Sequence, residues 1–176
     1  MSTFQDHARL AALFALIVHK TGTIVGRLRV QKLMYLLQQK GVAPVQPFYF
    51  EYHHYGPFCA EVADVIKGAV RSRIVQENKD SDDDGWKRFE YVAGPQAVEY
   101  AASVPTGTRE LTEKVLAVCE GAHWRTLELA ATADFLRRTD NLDHDAAFIA
   151  ALERKPQCAA YEHSAKTLLR QLDLAP

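Results

Sequence analysis

Between residues 10 and 18 the apolar side chains Leu10, Leu13, Phe14, Ile17 and Val18 recur at the three- and four-residue spacing of one helical face, and Phe4 extends the pattern backwards. The spacing predicts a helix over 4–19, stopped by Thr21-Gly22-Thr23. A second helix is predicted over 27–39. Val30, Leu33, Met34 and Leu37 form its buried stripe, and Arg29, Lys32 and Gln39 fall away from it. Gly41 closes this helix, and Pro44 and Pro47 forbid its continuation. The period then changes to two. Phe48, Phe50 and Tyr52 alternate with Tyr49, Glu51 and His53, which predicts a strand ended by Gly56-Pro57. Pro57 suits the first turn of a further helix reaching about Val70, with Phe58, Val62, Val65, Ile66 and Ala69 facing inward. Residues 73–77 and 86–92 read as the two strands of a β-hairpin around the polar tip NKDSDDDG.

Beyond Gly94 every pattern is helical. Short and longer helices are expected over 95–101, 108–120, 124–138, 144–154 and 157–172, with Thr108 and Asp143 as N-caps. Phe148, Ile149 and Leu152 are expected to face inward, as are Leu168, Leu169 and Leu172. The fold class is therefore α+β and predominantly α-helical: one compact domain over 1–176 with a small antiparallel sheet. A helix–strand–helix–hairpin half spans 1–94 and a helical half spans 95–176. Helices followed by a hairpin also suggest a winged-helix-like arrangement.

Composition adds limits. The hydrophobic fraction of 48% supplies an ample core, and a net charge of −1 announces neither a nucleic-acid nor a membrane partner. The run LAALFALIV at 10–18 is too short to span a bilayer, and Asp6, His7 and Arg9 before it do not suit a secretory leader. Three widely spaced cysteines, Cys59, Cys119 and Cys158, point to reduced thiols and a cytoplasmic location. Charge is uneven along the chain. Residues 1–50 hold six basic side chains against Asp6 alone, whereas residues 76–90 are acidic. A basic set of Arg27, Arg29, Lys32, Arg71 and Arg73 could contact phosphates, although the Asp-rich hairpin tip would repel them.

The densest chemistry lies in FYFEYHHYGPF at 48–58. His53 and His54 are adjacent on a predicted strand and so point to opposite faces, which disfavours a shared metal. His144-Asp145 is an HD dipeptide without the further ligands a metal-dependent phosphohydrolase needs, and Asp143 as a cap explains the string. Cys59 near a helix start could be an activated thiol, but no third group completes a nucleophilic set. Asp82-Asp83-Asp84-Gly85 lacks the alternating ligands of a calcium loop. No catalytic residue, metal ligand or cofactor is assigned.

Four strings carry a resemblance to a prokaryotic family. RLRVQKLMYLLQ at 27–38 is similar to its K-L-Q-K-L-x-Y helix, with Arg29 and Val30 where Lys and Leu are usual. YHHYGPFCAEV at 52–62 is similar to its Y-G-P turn. The strand pair after the third helix is the third likeness, and LELAATADFL at 127–136 with Lys155-Pro156 is the fourth. The chain thus resembles the Panacea-domain group, with its SocA-like antitoxins and YwgA-like relatives. The resemblance implies a cytoplasmic, non-enzymatic protein that binds a toxin, or a protease or adaptor target, in a toxin–antitoxin or phage-defence setting. The expected partner surface is Tyr52, His54, Tyr55, Gly56 and Pro57, bordered by Arg27, Arg29 and Lys32, since aromatic and Arg side chains anchor interfaces. The alternative is a DNA-binding regulator. The oligomeric state stays open.

Overall fold

Thr3 fixes where the first helix begins. Its hydroxyl accepts the Asp6 amide at 3.2 Å while the Asp6 carboxylate accepts the Thr3 amide at 2.8 Å, a reciprocal capping box. Helix α1 (Phe4–Thr21) follows in the computed structural model, which describes residues 2–81 and 87–175. From Leu10 to Val18 every residue of α1 is buried, so this helix is wrapped on all sides rather than lying on one face. After Gly22 the β-branched Thr23 and Val25 flank Ile24 in a short strand, β1 (Thr23–Val25), that the helix-to-helix reading of this segment did not predict. Helix α2 (Arg27–Gln39) and a 3₁₀ turn at 43–45 lead to two short strands, β2 (Glu51–His53) and β3 (Gly56–Phe58).

Strand β2 is shorter than the 48–53 alternation suggested, and Phe48 and Phe50 are buried ahead of it. Gly56-Pro57 does not launch a helix. It turns the chain back on itself, pairing Glu51 with Phe58, Tyr52 with Pro57 and His53 with Gly56 around the tip His54-Tyr55. Both strands of a two-stranded ribbon are edges, where a residue without an N–H is tolerated. Helix α3 (Ala60–Arg71) begins only after Cys59, with Val62, Val65, Ile66 and Ala69 buried as expected.

Strands β4 (Val75–Ser81) and β5 (Lys87–Ala93) form an antiparallel hairpin as predicted, from Val75 opposite Ala93 to Ser81 opposite Lys87, but residues 78–81, expected in the polar tip, are paired within β4, and Arg73 and Ile74 precede it. The Asp-rich tip at 82–85 and Trp86 lie outside the described residues. β1 joins the other side of β5, Ile24 opposite Tyr91, so the sheet order is β1-β5-β4. Helix, strand, two helices and a hairpin whose last strand pairs with the first is a winged-helix-like topology, here interrupted between α2 and α3 by the β2–β3 ribbon.

The rest is helical: α4 (Ala97–Ala102), α5 (Thr106–Cys119), α6 (Trp124–Thr139), α7 (His144–Arg154), a 3₁₀ segment at 156–161 and α8 (Glu162–Gln171). α5 starts two residues before Thr108, which therefore lies inside the helix and not at its cap. Ile149 on α7 faces out, while Phe148 is buried as expected. α6 is the second wrapped helix. All residues from Thr126 to Asp134 are buried against α2, α7, α8, β3 and the 3₁₀ segment. Asp143 does cap α7, accepting the Ala146 amide at 2.8 Å. Asp143→Ala should lower the unfolding free energy by about 1 kcal/mol, seen as a lower urea midpoint at unchanged slope. Among the described residues no helix is long and apolar enough to cross a membrane.

Candidate functional site

The β2–β3 ribbon lies across α2 and α6 and is held almost entirely through its backbone. Lys32, one turn into α2, donates from Nζ to the Pro57 carbonyl at 2.6 Å. Lys155, between α7 and the 3₁₀ segment, donates to the His54 carbonyl and to Glu128 Oε1 of α6, both at 2.8 Å. Gln31 brackets the end of the ribbon: its Nε2 donates to the Cys59 carbonyl at 3.1 Å and its Oε1 accepts the Cys59 amide at 3.0 Å. Lys32 and Lys155 are each 1% exposed and Glu128 is 2% exposed. Burial pushes the Lys32 amine down to about 7, with Glu128 opposing and Lys155 reinforcing the shift.

Gly56 is the point of closest approach. Its φ is +83°, and a Cβ there would overlap Thr132 Oγ1 on α6. Farther along α6, Asp134 is wholly buried and fully used: it accepts Tyr35 Oη at 2.8 Å, Arg137 Nη2 at 2.9 Å and Arg138 Nε at 2.8 Å. Tyr35 in turn meets Phe50 and Phe135 at 5.5 and 6.0 Å between ring centroids.

Outward, the same stretch is aromatic. Tyr49 is 77% exposed, Tyr55 48% and Tyr52 37%. Tyr52 lies against Phe135 at 6.3 Å and under the Arg154 guanidinium at 4.9 Å. His53 packs on Phe58 at 5.2 Å and on His54 at 5.3 Å.

The residues singled out in the sequence therefore divide. Tyr52, His54 and Tyr55 are each exposed on the ribbon, whereas Gly56 and Pro57 are buried. Lys32 was expected to face outward; it points inward, because a carbonyl of the ribbon is there to receive it. Arg27 is engaged by Glu77, with contacts of 2.8–3.1 Å, and stacks over Phe89 at 3.6 Å. It shares a cleft of about 240 Å³ with Phe58 of the ribbon. Arg29 donates to the Ala122 carbonyl, beside Cys119 and away from the turn. The cations at the tip are instead Arg154 and Lys155, which the sequence reading did not select. Arg71 and Arg73 are exposed at the end of α3 and before β4.

Other chemistry is weaker than it looked. Cys59 is buried, and burial raises its thiol pKa, the reverse of activation. His144 packs on Phe148 at 5.0 Å. A Ser2–His7–Glu61 trio resembles a nucleophilic relay, but both partners meet the same ring nitrogen. Ser2 Oγ is 2.9 Å from His7 Nε2, Glu61 Oε1 is 3.3 Å from it, and Ser2 Oγ also donates directly to Glu61. A relay needs the base's two nitrogens on different partners. Among the described residues no group of three or more His, Cys, Asp and Glu side chains is placed to hold a metal. No family model matches the chain, and no curated protein matches it significantly.

Proposed function

We propose that the chain is a non-enzymatic protein-interaction module, antitoxin-like or adaptor-like, that works in the cytoplasm and meets its protein partner with the outer face of the β2–β3 ribbon. The reading rests on one observation: exposed tyrosines ride on a backbone that buried side chains hold rigid. Tyr52 and Tyr55 then bind without first paying for loop ordering, which is how aromatic anchors become dominant contacts. The resemblance of Tyr55-Gly56-Pro57 to a family turn agrees with it, and the thiols and the Ser2–His7–Glu61 trio offer no competing chemistry.

Affinity capture with the full chain, followed by titration of the recovered partner, tests this. Tyr52→Ala and Tyr55→Ala should each weaken binding about thirtyfold, a loss of about 2 kcal/mol. Unchanged affinity in both variants, with wild-type circular dichroism, sinks the proposed surface. If the partner is a toxin, co-expression should restore growth and Tyr55→Ala should not.

A DNA-binding regulator has the winged-helix-like topology in its favour. Charge does not add to it: α3, where a recognition helix would read the groove, carries Glu61 and Asp64 as well as the exposed Lys67 and Arg71, and Lys67 pairs with Asp64, so it is not a concentrated basic face. DNA retention that falls steeply with salt would revive that reading.

A further inference from the structure

The contacts that hold the ribbon have an unbalanced charge. Two lysine amines, on Lys32 and Lys155, face one carboxylate, on Glu128, in a site closed to solvent. Among the described residues no second carboxylate bonds to either amine. On the 3₁₀ segment, Cys158 Sγ lies 3.8 Å from Glu128 Oε2, but burial raises its thiol pKa and keeps it protonated. Cys59, before α3, is held protonated in the same way. Asp134, the next acid on α6, is taken by Tyr35, Arg137 and Arg138. The ribbon offers carbonyl oxygens, the Tyr55 ring 5.9 Å from Lys155 Nζ, and the exposed imidazoles His53 and His54. Arg154, next in sequence to Lys155, adds another positive charge at the rim.

We propose that this cluster makes the β2–β3 ribbon an acid-sensitive latch, closed while Lys32 is a neutral amine and released when Lys32 takes up a proton that Glu128, already paired to Lys155, does not balance. With Lys32 neutral, the site holds one positive and one negative charge, and the amine still donates to Pro57. A second positive charge is best relieved by water. The ribbon is the element that can admit it, because it touches Lys32 and Lys155 through backbone oxygens, whereas α2 and α6 are locked in the core. The proposal goes beyond the partner surface and does not depend on it.

The direction follows from linkage. Burial depresses the closed-state pKa of Lys32 to about 7, and the open state regains the ordinary value of 10.5. Between these two values the open form binds the extra proton, so closure is favoured as pH rises and lost as pH falls towards 7. Below about 7 both forms are protonated and this contribution is flat. Thiol ionisation would favour opening at high pH, the opposite sign.

Hydrogen exchange on the full chain, followed for a peptide covering 51–59 and corrected for intrinsic rates, reads the opening directly. Opening should rise about tenfold from pH 8.5 to pH 7 and level off below. Lys32→Met should abolish the rise, and a His53→Gln/His54→Gln variant should keep it. A flat wild-type profile, a rise retained in Lys32→Met, or a rise lost in the histidine variant overturns the latch. Should Lys32→Met fail to fold, lysine side-chain NMR of the wild type decides. One lysine titrating near pH 7 supports the proposal, and all lysines titrating near their ordinary value overturn it.

Discussion

Glu128→Gln is expected to destabilise the protein by about 3–5 kcal/mol, the loss seen when one partner is taken from a buried ion pair. The substitution keeps the volume of the side chain and one acceptor for Lys155. It removes the negative charge paired to the buried Lys155 ammonium and facing the Lys32 amine. Against a total stability of about 5–15 kcal/mol this is a large share. Lys155→Met on its own leaves Glu128 buried without its hydrogen-bonded cation and the His54 carbonyl without its donor, so it too should be costly. The double variant removes both charges, and should be more stable than the sum of the two single losses predicts by at least about 1 kcal/mol. Urea unfolding of the four proteins at pH 8, followed by circular dichroism, gives the coupling. If Glu128→Gln unfolds within about 1 kcal/mol of wild type, the cluster does not depend on that charge.

That cluster shows where reading the sequence succeeds and where it stops. The apolar spacing of 10–18, 62–69 and 144–154 gave the right helices because local periodicity is set by what each helix buries. Lys32 was misplaced for the same reason. A lysine beside an apolar stripe is almost always solvated, and its burial depends on an acceptor 25 residues away. α6 hid its importance differently. A helix buried on every side from Thr126 to Asp134 has no polar face, so periodicity alone does not mark Glu128 as a buried charge. At Gly56-Pro57 two local rules competed. Proline at a helix start was the commoner pattern, and the paired return to Glu51 won because Gly56 reaches its positive φ and fits under α6.

Long-range pairing also changes what the charge distribution means. The basic surplus of residues 1–50 suggested a phosphate-binding face. In the fold Arg9 meets Asp6, Lys20 meets Glu113, Arg27 meets Glu77 and Lys40 meets Asp173, while Arg29 and Lys32 donate to backbone carbonyls. The acids that balance this third of the chain come mostly from elsewhere in it. Several of these pairs are exposed and add little stability each, but together they give each basic side chain of this third a partner among the described residues. The aromatic ribbon keeps its exposure, which is why the protein-binding reading outweighs the nucleic-acid one.

Gly56→Ala should then be the most damaging single-methyl change in the ribbon, costing about 3 kcal/mol. Two effects add. An L-residue at φ +83° loses about 1–2 kcal/mol to backbone strain, and forcing a methyl group into the contact with Thr132 costs about 1–3 kcal/mol more. The two are separable, because the Thr132 hydroxyl has no hydrogen-bond partner among the described residues. Thr132→Ala alone should therefore be close to neutral, since it deletes a buried hydroxyl that satisfies nothing. In the Thr132→Ala background the added methyl group has room, and the cost of Gly56→Ala should fall to the backbone strain of about 1–2 kcal/mol. Urea midpoints of the three variants against wild type measure this. If Gly56→Ala costs the same with and without the Thr132 hydroxyl, the contact with α6 is not what requires glycine, and the strain at the turn accounts for the whole loss.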